Sequence, residues 1–218
     1  MKNRKSKISK AGTGLIAVGL LLLLISLGLV GYNIWDNHRA AETSSEILQQ
    51  LPTPTVTEEP EATPDAAEEP PQPEEAEVPL YVTNPDMEMP TVEIDGNAYI
   101  GRIDIPSLEL SLPVMSEWSY PNLRISPCRY TGSAYKNNLI IAAHNYESHF
   151  GNLKYLNAGD EITFTDVDGN VFNYVVAEIE QLNPTAIEQM ESGDWALTLF
   201  TCTIGGSYRV TVRCDLAE

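Results

Sequence analysis

Glu161-Ile-Thr-Phe-Thr-Asp-Val167 and Asn170-Val-Phe-Asn-Tyr-Val-Val-Ala-Glu-Ile-Glu180, set either side of Asp168-Gly169, decide the fold class. Apolar and polar residues alternate along both runs, the period of a strand with one buried face, and Asp-Gly readily supplies the positive φ angles of a tight hairpin turn. A calcium loop starting at Asp166 is the competing reading. It fails on spacing, because such a loop needs Gly sixth and Glu twelfth, whereas Gly169 is fourth and position twelve is Ala177. The stretch predicts a hairpin.

Similar short runs lie on both sides. Tyr99–Ile105 alternates until Pro106-Ser107 breaks it, Leu108–Val114 resumes, and Asn138–Ala143 is briefly apolar; Trp195–Thr201 and Tyr208–Cys214 follow the hairpin. Short helical turns are predicted near 150–156 and 184–190. Roughly eight short strands in about 128 residues predict an all-β domain over 91–218, a closed barrel or a sandwich.

Upstream the composition changes twice. Residues 52–90 hold 10 of the 15 Pro and 11 acidic groups with no Lys or Arg, too little apolar surface to offset the chain entropy lost on folding. They are expected to be disordered, with an extended reach of at most roughly 120 Å. Asp36–Leu51 reads as helical, and with 52–90 it makes up an acidic, Pro-rich stalk over 36–90. Ala11–Trp35 is 25 residues without a charge, about 37 Å as a helix against a hydrocarbon core of roughly 30 Å. A cleavable signal peptide would have a shorter apolar stretch and a small-x-small site, and none follows Val30. Residues 11–35 are therefore expected to be a retained transmembrane anchor. Five cations lie in the tail, residues 1–10, whereas Arg39 stands alone in the 66 residues after the span. That asymmetry predicts a cytoplasmic N-terminus and everything after residue 36 outside the cell.

Charge and Cys usage narrow the function. A net charge of -18 leaves nothing for neutralising phosphates, so nucleic-acid binding is excluded. Three Cys and three His are too few for a four-Cys zinc site or a His-rich centre, and no metal site or cofactor is expected. What remains is His144 after Ile140-Ile-Ala-Ala143, Cys202 closing Leu197-Thr-Leu-Phe-Thr201, and Arg209 opening a last alternating run. Each stands at a strand end, where a reactive side chain gains a rigid mount. A thiolate attacks, His holds or returns the proton, and Arg hydrogen-bonds a developing oxyanion, the parts needed for acyl transfer. Alternation puts Arg209, Thr211 and Arg213 on one face of the last strand and Cys214 on the other, toward the core. Cys128, in a loop-like stretch, is expected to be partly exposed, and a Cys128–Cys214 disulfide stays open as an alternative.

These motifs resemble the sortases, cysteine transpeptidases of Gram-positive bacteria. The resemblance covers about residues 97–214: Ile100-Gly-Arg-Ile-Asp-Ile-Pro106, Ala143-His144-Asn145, Phe150-Gly-Asn-Leu153, Gly159-Asp160-Glu161, the Thr-Leu-x-Thr-Cys box at Thr198–Cys202, and Arg209. Ala143 departs from the Gly that usually precedes the His. The resemblance implies an eight-stranded β-barrel with its groove on the outer surface. It implies Cys202 as nucleophile, His144 as general acid and base, and Arg209 as substrate and oxyanion support. Thr201 is implied at the substrate, and the backbone N–H of Asn145 as a second oxyanion donor. It further implies secreted proteins with a C-terminal Leu-Pro-x-Thr-Gly-like sorting signal as substrates, and an amine on a peptidoglycan precursor or pilin as acceptor. Calcium dependence is not legible. A short 183–194 connection and the lack of a C-terminal span favour a class A-like or D-like member over B or C. Papain-like peptidases run Cys then His, whereas His144 precedes Cys202 by 58 residues. The non-enzyme alternative is a stalked adhesin with incidental Cys and His, in which Cys202 would react no faster than free cysteine.

Overall fold

The computed structural model describes residues 10–52 and 78–217. The expected basic tail, apart from Lys10, and the central stretch of the stalk, 53–77, lie outside the described residues. The chain divides into two units, 1–39 and 40–218. Most of the first is a helix, α1 (Lys10–Gln50), whose final turns belong to the second unit. Its side chains from Leu15 to Trp35 are exposed all round, and among the described residues it is the one helix long and apolar enough to cross a bilayer. A helix apolar on every face suits a lipid solvent.

After Ala40–Gln50 the second unit runs α2 (Leu80–Thr83), β1 (Val92–Ile94), β2 (Asn97–Ile105), β3 (Leu110–Met115), α3 (Tyr120–Leu123), β4 (Cys128–Thr131) and β5 (Leu139–Ala142). It continues through β6 (Glu161–Asp166), β7 (Val171–Leu182), α4 (Ile187–Glu191), β8 (Leu197–Cys202) and β9 (Arg209–Leu216). Strand order is β1-β2-β3-β4-β5-β8-β9-β7-β6, and β6 pairs back onto β2. Eight strands thus close an all-β barrel, as expected. The ninth, β1, hangs from β2 by a turn at Asp95-Gly96, both at positive φ, the same Asp-Gly signal that joins the 161–180 hairpin. Closure requires a glycine at the seam: a Cβ on Gly101 would overlap the Thr165 carbonyl oxygen on β6. The predicted hairpin is β6–β7, and the predicted helical turns appear at Leu153–Tyr155 and in α4.

Inward side chains such as Ile103, Val114, Ile141, Phe164, Leu199 and Val212 fill the barrel. A second cluster lies beside it, where Ile94, Tyr99, Met115 and Cys128 are covered by Ile47 and Leu51 of the chain leaving α1. The helix over 36–50 is as expected, but the structure departs from the expected stalk in that both of its described ends pack on the domain. Ala40, Ser44, Ile47 and Leu51 recur at helical spacing and are all buried, and Tyr81 stacks on Tyr135 at 4.7 Å while Met89 joins the barrel core. Composition averaged over 52–90 conceals the apolar residues at its C-terminal end.

Candidate active site

β5 and β8 are parallel neighbours in the middle of the sheet, in register from Leu139↔Leu197 to Ala142↔Phe200. Two bonds carry that register past the end of β5: Ala143 N–H donates to the Phe200 carbonyl at 3.1 Å, and the Thr201 hydroxyl donates to the Ala143 carbonyl at 2.9 Å. His144 therefore leaves the barrel beside Cys202, the last residue of β8. On the other side β9 is antiparallel to β8, with Cys202 directly opposite Arg209. The turn between them is tight, Gly206 N–H donating to the Thr203 carbonyl at 2.8 Å and Thr203 N–H to Tyr208 at 3.0 Å, with Gly205 and Gly206 both at positive φ. Three adjacent strands thus bring the three expected residues to one rim, each partly exposed.

The details refine the sequence reading. The Arg209 guanidinium lies on its own turn, Nη1 donating to the carbonyls of Gly206 at 3.2 Å and Tyr208 at 3.3 Å. Thr201 is buried, its hydroxyl spent on Ala143, so it holds the spacing between the His and Cys strands. The Asn145 backbone N–H, expected to face an oxyanion, donates to His144 Nδ1 at 3.2 Å, and Asn145 Oδ1 lies 3.1 Å from the same nitrogen. Cys202, Thr201 and Asn145 border a groove of about 410 Å³ walled by Glu147, Lys154, Tyr155 and Ile204. Larger hollows of about 630 and 660 Å³ lie elsewhere on the domain and contain none of the three rim residues.

Burial separates the remaining candidates. Cys128 and Cys214 are fully buried and unpaired, in different clusters, so the open disulfide does not form. Cys128 departs from its expected partial exposure because β4 turns it under the residues that cover the second cluster. Burial pushes both thiols up to about 12, which leaves them inert at neutral pH. Arg213 shares a face with Arg209 but is committed elsewhere: it donates to Glu180 at 2.9 Å, Thr198 at 3.1 Å and the carbonyls of Met190 and Gln189 at 2.8 and 2.6 Å. Among the described residues no group of three or more His, Cys, Asp or Glu is placed to share a metal ion.

Two features at the rim escape the sequence reading. An aromatic row continues from β8, with Phe200 at 5.4 Å from Tyr130 and Tyr130 at 6.0 Å from Trp118. Its signal was the i, i+2 placement of Phe200 and Cys202 on one strand face. The other is a ring stack on His144 from Tyr146, at 4.2 Å and 2° between planes.

A family profile for the Sortase domain matches residues 103–217. Sortase A of Bacillus anthracis is 26% identical over 208 residues, covering 91% of this chain and 92% of that protein. Among solved structures, sortase A of Corynebacterium diphtheriae superposes with a TM-score of 0.52 at 22% identity, over 56% of this chain and 62% of that one. Sortase C of Clostridium perfringens SM101 gives 0.47 at 24% identity, over 55% and 70%. The family match sets aside the stalked, non-catalytic adhesin. The chain belongs to the sortase family of cysteine transpeptidases.

Proposed function

We propose that the chain is a single-pass membrane sortase, N-terminus in the cytoplasm and catalytic domain outside, whose Cys202 carries a sorted protein from its signal to an amine. The strand register that gathers His144, Cys202 and Arg209 at one rim supports this reading most. Cys202 Sγ attacks the carbonyl carbon of the scissile bond in a Leu-Pro-x-Thr-Gly-like motif, and the carbonyl π electrons move onto oxygen. Arg209, swung off the Gly206 and Tyr208 carbonyls, hydrogen-bonds that oxyanion. His144, holding the thiol proton, gives it to the leaving amine as the C–N bond breaks, and a thioester remains on Cys202. An amine of a cell-wall precursor or pilin then attacks the thioester, loses its proton to His144, and the thiolate leaves. Thr201 sets the distance between the two strands that carry these groups.

The row Phe200–Tyr130–Trp118 offers apolar surface for the motif's Leu and Pro. The apolar span 11–35 of α1, with five cations before it, supports the anchor and its orientation. The five-residue α4 between β7 and β8 leaves no room for the long extra helix of class B, which favours a class A-like or D-like member. The test is to incubate the full chain in detergent with a library of labelled sorting pentapeptides and a primary amine. A mass increment of the acyl fragment on the Cys202 peptide and an amine-linked product are expected. Product without any adduct on Cys202 would reject the thioester route.

A further inference from the structure

The strand ends place His144 but do not fix the rotation of its ring; the segment that follows does. Asn145–Gly151 folds into a compact turn, with Phe150 N–H donating to the His144 carbonyl at 3.2 Å, and His149 and Gly151 N–H donating to the Tyr146 carbonyl at 3.0 and 2.9 Å. Phe150 is fully buried and pins the turn to the core. Gly151 lets it close, since a Cβ there would lie 2.6 Å from the Asn145 carbonyl oxygen and 2.8 Å from that of Tyr146. The turn delivers the Tyr146 ring flat onto the His144 imidazole, centroids 4.2 Å apart and planes 2° from parallel. Behind Tyr146 stands His149, ring centroids 5.5 Å apart. It is fully buried, with Nε2 at 3.5 Å from the Ser44 hydroxyl on α1.

We propose that Tyr146 is a positioning residue for His144, held in place by His149 and Ser44. This rests on the reading of His144 as the general acid and base. A flat stack resists rotation of the imidazole about its Cβ–Cγ bond, because turning the ring loses the contact. The electron-rich face also attracts the positive charge the imidazole carries once it holds the thiol proton. A support that was itself cationic would repel that charge. His149 avoids this: burial, with the nearby His144 adding to it, pushes its pKa down to about 4, so it backs Tyr146 as a neutral wedge at neutral pH. The titratable and charged groups set about His144 are then Tyr146, Glu147 and His149 on its own turn, Cys202 on β8 and Arg209 on β9.

The test uses the full chain in detergent, a mixture of Leu-Pro-x-Thr-Gly peptides as substrate, and the variants Tyr146→Phe and Tyr146→Leu. The Leu variant should lose at least about tenfold in kcat with KM within about twofold, as a misplaced catalytic group does. Phe keeps the stack and should stay within about threefold of the parent. The ring C–H resonances of His144, shielded by the stacked face, should move downfield in the Leu variant and hold in the Phe variant. An unchanged kcat and unchanged His144 resonances in the Leu variant, or equal losses in both variants, would overturn the proposal. If the Leu variant does not fold, Tyr146→Met fills the same space without a π face and is read by the same criteria. His144→Ala separates the two levels: a near-normal rate there rejects the acid–base reading itself, whereas loss there with none in Tyr146→Leu rejects the positioning role alone.

Discussion

The β8–β9 ladder carries a Cys and an Arg at each of its ends. At one end Cys202 faces Arg209; at the other Leu197 faces Cys214 and Thr198 faces Arg213. The residue types match, but the surroundings are opposite. Cys202 and Arg209 sit at an open rim beside His144, whereas Cys214 is sealed in the barrel and Arg213 is locked under α4 by Glu180 and two carbonyls. Solvent access and a proton partner, rather than the presence of Cys and Arg, separate the candidate chemistry from architecture.

The sharpest break in this comparison is removal of each thiol in turn. Cys202→Ala is expected to abolish both peptide cleavage and amine transfer while the thermal midpoint stays put, since no acyl acceptor remains. Cys214→Ala should leave the rate near normal and lower stability by about 1–2 kcal/mol for a small cavity. Retained turnover in the Cys202 variant, followed by product chromatography, would reverse the assignment. Brief alkylation at neutral pH with mass spectrometry sharpens the same contrast without mutation. With burial holding Cys128 and Cys214 up at about 12, label should reach them only after denaturant is added, and early label on Cys214 would contradict the inward face of β9.

The two arginines should part in the kind of effect. Arg209→Ala is expected to cost about a hundredfold in kcat/KM, the size of a lost oxyanion donor, with little change in melting. Arg213→Ala leaves the Gln189 and Met190 carbonyls and Glu180 without their donor, and should cost about 3 kcal/mol of stability, seen as a drop of roughly 6–12 °C in the thermal midpoint. Equal rate losses in the two variants, measured on folded protein, would dissolve the distinction between the ends.

Much of this contrast is legible in the residues, and the remainder fails for stated reasons. Alternation alone puts Val210, Val212 and Cys214 on the core face, because a strand's period is two. It also groups Arg209 with Arg213, and cannot separate them, because what buries Arg213 is α4, a distant segment laid over that face. The Asp95-Gly96 turn carried the same signal as Asp168-Gly169 but flanked a strand of only three residues, too short for alternation to show. Ala40, Ser44, Ile47 and Leu51 form a helical stripe whose partner, the cluster around Tyr99 and Cys128, is assembled only by the fold. The Tyr146 stack depends on closure of the 145–151 turn, and no periodicity encodes a ring plane.

The smallest expected effect concerns His149, a second histidine five residues from His144 and fully buried where His144 is partly exposed. Its folded pKa of about 4 lies below the ordinary value of 6.5, so between these values the unfolded chain binds the proton that the folded chain refuses. Stability from this group is therefore complete above about pH 6.5, falls as the pH drops toward 4, and changes no further below that. The shift corresponds to at most about 3 kcal/mol, and less in practice, since the buried site relaxes as it protonates. Carboxylates titrate in the same window, so the observable is a difference: denaturation midpoints of the parent and of His149→Gln from pH 7 to 4. The parent should lose more stability than the variant, with the gap opening between pH 6.5 and 4. Parallel curves would mean that His149 takes up its proton without leaving the core, and would overturn its role as a neutral wedge.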